Sequence, residues 1–164
     1  MDKQEKFRKL TALLGKGLDS GEWTATVQGS LATDDGYAYN ATLLRAGRKV
    51  ASVTNGGTGG PTDVRFQSPS DEEALKAYCA TLPPDKSYDM ELPYDVELFA
   101  ATLVEIAMEA ASLRRRAKKS TLAACGGEVS VFSAPYSPET VARIEARNPG
   151  KFTFLNELLS AGAM

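Results

Sequence analysis

The densest group of chemically capable side chains is a basic run near residue 116. Five of the 19 Lys and Arg residues fall within six consecutive positions, and they are Arg114, Arg115, Arg116, Lys118 and Lys119. One or two cations at a helix C-terminus interact favourably with the helix dipole, whereas five at this density repel one another. Guanidinium groups bind phosphate or carboxylate through paired hydrogen bonds, and ammonium groups act as point charges. The run therefore predicts either a charged helix end or a binding surface for an anionic partner.

The second candidate is the glycine-rich segment SVTNGGTGGPTDVRF, residues 52–66. A Walker loop needs Lys and then Ser or Thr after its last glycine, but Gly60 is followed by Pro61. A dinucleotide-binding fingerprint enters a helix at once, whereas the next predicted helix begins at Ser70. Both standard phosphate sites are therefore excluded, and a sharp bend is favoured. The alternative is a looser anion-binding nest of backbone N–H groups, formed by Asn55, Gly57, Gly59 and Gly60.

Residue types that commonly perform catalysis are scarce. The chain contains no histidine, the commonest general base and transition-metal ligand. Cys79 and Cys125 are far apart and are interpreted as small buried hydrophobic residues in a reducing compartment. Glu105 and Glu109 lie four positions apart on a predicted helix and are interpreted as a solvated face. These observations predict no cofactor and no metal site, and they favour a binding protein over an enzyme.

The elements that must position these residues follow an α+β pattern. Alternating apolar residues, beginning with Trp23, Ala25, Val27 and Leu31, predict three strands on short turns between residues 23 and 54. A further strand is predicted over Thr62–Gln67, and Gly126-Gly127 predicts a two-residue hairpin turn. We expect one antiparallel sheet of about five strands, packed against one long helix and surrounded by shorter helices.

Capping residues mark the predicted helices. The first covers Asp2–Leu14, and a capping box of Ser70 and Glu73 predicts a second that ends near Thr81. Asp95 is the expected N-cap of the longest helix, which ends near Lys119. Its apolar residues recur every three or four positions and predict core packing, with a homodimeric coiled coil as the alternative. Two more helices are predicted, one opened by Ser137-Pro138 and ending near Arg147, and one over Phe152–Leu159.

Composition limits the broad class. The chain has 164 residues, is 43% hydrophobic and carries a formal charge of −2. We expect a single globular domain over residues 1–164 without a global field that would attract nucleic acid. No apolar run is long enough to span a bilayer, and the N-terminus opens a charged helix rather than a signal peptide. A cytoplasmic protein without membrane contact is predicted.

Part of the chain resembles small uncharacterised proteins of bacteriophages and other mobile elements. The similar features are Tyr39 and Ala41 on a strand, the segment GRKVASVTNG over residues 47–56, and the pair Gly59-Gly60. The later order of an acidic-apolar helix, a basic helix end, a hairpin and a Pro-opened helix is similar too. This chain has Asn55-Gly56-Gly57 where the pattern has Asn-Asp-Gly. The resemblance covers roughly residues 37–147 and provides no catalytic residues.

The resemblance implies accessory work against host defence, such as anti-CRISPR inhibition. The leading hypothesis is a non-enzymatic protein that binds and inhibits a host defence nucleoprotein in the bacterial cytosol through the basic run. A direct nucleic-acid-binding protein, using the basic run and the glycine loop, is the second hypothesis. An enzyme with an unrecognised carboxylate or nucleotide site is the third.

Overall fold

The computed structural model describes residues 1–86 and 89–160. Its contacts divide the chain into two compact units: a central unit, Ser20–Ala107, and a terminal unit, Met1–Asp19 with Met108–Met164. Five helices lie in the described residues: α1 (Lys3–Leu13), α2 (Pro69–Thr81), α3 (Val96–Ala117), α4 (Pro138–Arg147) and α5 (Asn156–Ser160). The described strands are β1 (Trp23–Thr33), β2 (Gly36–Arg45), β3 (Arg48–Gly56), β4 (Asp63–Phe66), β5 (Thr121–Cys125), β6 (Glu128–Phe132) and β7 (Thr153–Phe154).

The α+β class is confirmed, but the single sheet of about five strands is wrong. The central unit contains an antiparallel four-stranded sheet in the order β1-β2-β3-β4, which is the predicted meander with its fourth strand. The terminal unit contains a separate sheet in the order β6-β5-β7. The hairpin of β5 and β6 pairs with β7 rather than with the meander, because residues 153 and 154 are extended and complete its other edge. The picture of one long helix packed on one five-stranded sheet is therefore also wrong.

A bulge in β1 explains why one predicted core residue is exposed. Trp23 and Ala25 are buried as the alternation predicts, but Leu31 is 69% exposed. Val27 pairs with Ala41 and Gly29 pairs with Asn40, so Gln28 has no partner on β2. One extra residue in a strand turns every later side chain to the opposite face. The bulge therefore moves Leu31 away from the face that buries Trp23 and Ala25.

Two helix ends differ from their predictions. Helix α2 is capped by Ser68, whose Oγ accepts a hydrogen bond of 3.3 Å from the Asp71 N–H, and not by Ser70. Pro69 occupies the first helical position, where its fixed φ and missing N–H cost nothing, so the cap falls one residue before it. The helix predicted over residues 152–159 is also shorter than expected, since it begins only at Asn156 after strand β7.

Other local predictions are confirmed. The Leu98 N–H donates to Asp95 Oδ1 over 2.8 Å, as expected of an N-cap at the start of α3. Ser137 Oγ accepts from the Thr140 N–H over 3.1 Å at the start of α4. Gly126 and Gly127 both have positive φ, at 60° and 85°, and form the predicted turn between β5 and β6.

The terminal unit is held together by its own hydrophobic cluster. Side chains from α1, the second half of α3, β5 and α5 are buried against one another, and they include Leu10, Leu14, Ala110, Leu113, Leu122, Ala124, Leu155 and Leu159. Complete burial of each large aliphatic side chain contributes about 1.5–3 kcal/mol. Leu113 is thus fixed in the core just before the basic run begins, so the end of α3 has a rigid base.

Candidate functional site

A buried asparagine holds the backbone beneath the basic run. Asn156 is only 5% exposed. Its Nδ2 donates to the Ala117 carbonyl over 3.2 Å and to the Ser120 carbonyl over 2.8 Å, while its Oδ1 accepts from the Leu122 N–H over 2.8 Å. The last carbonyls of a helix have no partner within the helix and need such a donor when they are buried. Asn156 therefore joins the end of α3 to the beginning of β5.

The basic side chains above this base are mostly exposed to solvent. Arg115, Arg116, Lys118 and Lys119 are exposed, and Arg114 is half-buried. Within residues 1–86 and 89–160, none of the five forms an ion pair. The positive charge predicted from the sequence is therefore available to a partner.

The five side chains do not form one surface, because they point in different directions around the helix. Consecutive residues of a helix are separated by about 100° around its axis. The helical turn continues past Ala117, since the Lys119 and Ser120 N–H groups both donate to the Arg116 carbonyl. Residues three or four apart share a face, so Lys118 lies on the side of Arg114, and Lys119 lies on the side of both Arg115 and Arg116. We call Arg114, Arg115, Lys118 and Lys119 the basic face, and Arg116 borders it.

Arg114 and Lys118 both line a groove of about 380 Å³. Ala117, Tyr136 and Leu159 supply most of its apolar wall, and the Tyr136 hydroxyl donates to Glu157 Oε1 over 3.0 Å. Burial and the neighbouring Glu157 carboxylate raise the pKa of the Tyr136 hydroxyl. The groove thus combines two cations and one carboxylate with a mainly apolar lining.

Arg116 has a different environment. It lines a second groove, of about 500 Å³, together with Glu109 and Glu128. Neither carboxylate forms an ion pair with Arg116 within the described residues, and Glu109 pairs instead with Lys16 over 3.6 Å. The structure therefore separates Arg116 from the other four members of the run.

The glycine loop is organised by its own hydrogen bonds. The Gly57 N–H donates to Asn55 Oδ1 over 2.8 Å, and Thr33 Oγ1 donates to the Gly57 carbonyl over 2.6 Å. Gly57 has φ of 72°, and a Cβ there would lie 2.7 Å from the Ala38 nitrogen. Only glycine fits at this position without backbone movement. The Gly57 amide, one donor of the proposed nest, is therefore already occupied.

Acidic and acceptor groups also surround this loop. The Thr62 N–H donates to Glu97 Oε1 over 3.1 Å, and Asn55 Nδ2 donates to Thr62 Oγ1 over 3.1 Å. Burial and the charges of Glu105 and Glu97 raise the pKa of the Tyr39 hydroxyl, which is hydrogen-bonded to Thr62 Oγ1. A carboxylate that accepts from the loop backbone disfavours an anion there. The geometry of the loop favours the sharp bend over the anion nest.

Sequence reasoning missed a cluster of charged residues in the central unit. Asp71 is 4% exposed and receives hydrogen bonds of 3.0 and 3.2 Å from Arg48, one of 3.4 Å from Arg45 and one of 3.0 Å from Ser68. Arg48, Ser68 and Arg45 together hold the pKa of the Asp71 carboxyl below its usual value. Arg45 also pairs with Glu22 and lies 5.4 Å from the centre of the Trp23 ring. We call Asp71, Arg45 and Arg48 the buried-acid cluster.

The signal for this cluster was present in the turn between β2 and β3. Arg45 and Arg48 flank the two-residue turn Ala46-Gly47 and are direct cross-strand partners, so their side chains lie close together. Two guanidinium groups directly opposite each other on neighbouring strands repel, so a nearby carboxylate stabilises the pair. The sequence does not show that Asp71, 23 residues after Arg48, supplies it.

The described residues offer little for catalysis. They contain no group of three or more Cys, Asp or Glu side chains arranged to hold a metal ion. Burial, together with the charge of Asp95, raises the pKa of the Cys79 thiol to about 11. A thiol with that pKa is almost entirely protonated near neutral pH and is a poor nucleophile. Cys79 therefore behaves as the buried hydrophobic residue that the sequence predicts.

No protein family, curated protein or solved structure matches this chain. The resemblance to proteins of bacteriophages and mobile elements therefore stays a prediction from the sequence. Among the helices in the described part of the chain, none combines the length and the apolar character needed to cross a membrane.

Proposed function

We propose that this chain is a non-enzymatic binding protein whose basic face contacts a negatively charged surface of a partner macromolecule. The observation that supports the proposal is the absence of ion pairs at Arg114, Arg115, Lys118 and Lys119 within the described residues. Each unpaired cation can form charge-assisted hydrogen bonds with phosphate or carboxylate. The well-packed helix end beneath them lowers the conformational-entropy cost of binding.

The partner we favour is a host nucleoprotein, as the resemblance to phage accessory proteins implies. The groove beside Arg114 and Lys118 has an apolar wall of Ala117, Tyr136 and Leu159, which suits contact with protein side chains. The formal net charge of −2 gives the whole chain no general attraction to nucleic acid. A partner surface that contains both protein and phosphate would contact the apolar wall of the groove and the basic face together.

Binding of this chain would be tested by capture from a bacterial lysate at low salt. The wild type is compared with the double variant Arg115→Glu, Lys119→Glu, which reverses half of the basic face. The matched control is Lys3→Glu, Lys9→Glu, which makes the same change of net charge at two exposed residues of α1. We expect the wild type and the control to retain the same protein and nucleic acid, and the basic-face variant to lose them. Identical capture by all three chains, or capture by none, would overturn the proposal.

Direct nucleic-acid binding is the second candidate, and the same unpaired cations favour it. Four phosphate contacts would give a slope of about −3.6 in a plot of log affinity against log salt for double-stranded DNA. We would measure fluorescence anisotropy with a labelled DNA duplex and a labelled RNA. Binding of naked nucleic acid with this slope, lost in the basic-face variant, would favour this candidate over the nucleoprotein. Absence of binding at low salt would exclude it.

A further inference from the structure

The two edges of the four-stranded sheet differ in their protection against pairing with another strand. Edge strand β4 has only four residues, and two of them, Asp63 and Arg65, are charged. Edge strand β1 has eleven residues, WTATVQGSLAT, without a charged residue or a proline. Natural proteins usually place charges, prolines or short strands at exposed edges, because an unpaired edge recruits other strands. The edge of β1 has none of these features apart from its bulge.

The bulge defines which part of β1 is accessible. Before it, Trp23 and Ala25 are buried and only Thr26 is exposed; from the bulged Gln28 to Ala32, every residue is exposed. Leu31 is 69% exposed, and Tyr37, which pairs with Ala32 on β2, is 54% exposed. Alternate N–H and C=O groups of an edge strand point away from its neighbour and are free to pair with an added strand. The accessible segment is therefore five residues long and uncharged, with a large apolar side chain.

We infer that two copies of this chain associate by antiparallel pairing of residues 28–32 of β1. Ser30 is the midpoint of this exposed segment, so a two-fold axis there lets both copies use all five residues. Gln28 then lies opposite Ala32 of the second copy, and Gly29 lies opposite Leu31. The inference is independent of the basic face, which belongs to the other unit of the chain.

With the two-fold axis at Ser30, the large side chain of Leu31 lies opposite the open position at Gly29. A Cβ built at Gly29 would meet no atom within 4 Å, so the space above this residue is empty. Leu31 of the second copy would occupy that space, and the symmetry of the pair repeats the contact. Because the segment carries no charge, pairing it with itself places no like charges opposite each other. The segment is therefore complementary to itself, as a two-fold pair of identical strands requires.

The interface is short, so the dimer is expected to be weak, with a dissociation constant between about 10 µM and about 1 mM. Sedimentation equilibrium of the full chain at concentrations up to about 1 mM covers this range. We expect Leu31→Lys and Gly29→Glu each to weaken the dimer by about tenfold or more, because each places an unpaired charge in the interface. Val131→Lys is the matched control, since Val131 is 44% exposed and lies on edge strand β6 of the other sheet.

The double variant Gly29→Glu, Leu31→Lys tests the register and the occupant together. With the axis at Ser30, each introduced carboxylate lies opposite the introduced ammonium group of the other copy, and the dimer is expected to regain most of its affinity. A different protein bound at this edge would not provide that compensation. Circular dichroism would confirm that each variant is folded. A wild type that stays monomeric at the highest concentration, unchanged affinity in Leu31→Lys, or no recovery in the double variant would overturn the inference.

Discussion

The buried-acid cluster and the basic face both contain neighbouring arginines, but a different kind of buried polar residue organises each. In the central unit, the Asp71 carboxylate accepts hydrogen bonds from the guanidinium groups of Arg45 and Arg48. In the terminal unit, the Asn156 amide bonds to backbone groups at the end of α3, and the basic run forms no ion pair with any residue that the structure describes. A charged anchor neutralises its arginines, whereas a neutral anchor fixes the backbone and leaves the charge for a partner.

This difference shows why a high density of basic residues alone does not define a binding surface. Arg45 and Arg48 are direct cross-strand partners, yet the protein's own Asp71 and Glu22 pair with them. Arg116 belongs to the run by sequence but shares its groove with Glu109 and Glu128. The useful criterion is the balance of acidic and basic side chains around each cation in the folded chain.

Replacement of Asn156, the neutral anchor, should have the largest effect on stability. Asn156→Ala leaves the Ala117 and Ser120 carbonyls and the Leu122 N–H without their partner in a buried position. We expect a loss of about 3 kcal/mol in the free energy of unfolding, measured by urea denaturation. The exposed Asn40, changed to Ala, is the control and should alter stability by less than about 0.5 kcal/mol. A similar small loss for Asn156→Ala would show that Asn156 does not anchor α3.

Replacement of Asp71, the charged anchor, should change how the stability of the protein depends on pH. The pKa of Asp71 is lower in the folded protein than in the unfolded chain, so its contribution is present above about pH 4 and is lost as pH falls through the folded value. Asp71→Asn should therefore lower the melting temperature at pH 7 and flatten its decline between about pH 4 and pH 2. Thermal unfolding followed by circular dichroism at several pH values would measure both effects.

The exposed Asp35, changed to Asn, is the control for this experiment because it forms no ion pair among the described residues. Its variant should follow the pH profile of the wild type. If Asp71→Asn showed the same acid sensitivity as the wild type, the contrast between a charged and a neutral anchor would lose its electrostatic basis.

Features of the fold that depend on neighbouring residues could be predicted from the sequence, whereas features that depend on distant contacts could not. The caps at Asp95 and Ser137 and the turn at Gly126-Gly127 depend on neighbouring residues and were predicted correctly. The pairing of β7 with β5 joins residues about 30 positions apart, and two extended residues leave no periodic signal. The position of Ser68 as a cap could have been read from Pro69, since proline favours the first helical position.

The candidate site could be predicted only in part. The basic run was evident from residue types, but its division depended on which acids the fold brings near each side chain. Asp71 resembles an ordinary residue of a helix start until Arg45 and Arg48 are placed beside it. The bulge at Gln28, which exposes Leu31, is produced by pairing with β2 and is not marked by the alternation of β1.

The smallest predicted effect compares two arginines within the run itself. Arg115→Glu and Arg116→Glu change the net charge equally, but Arg115 belongs to the basic face and Arg116 lies with Glu109 and Glu128. On a sulfated-polysaccharide column, which presents a dense anionic surface, Arg115→Glu should elute at clearly lower salt than the wild type. Arg116→Glu should shift elution by less than half as much, because nearby carboxylates already reduce the attraction of an anion to this position. Equal shifts for the two variants would mean that binding to the polyanion depends only on the total charge of the run. The four residues of the basic face would then not form a binding surface distinct from Arg116.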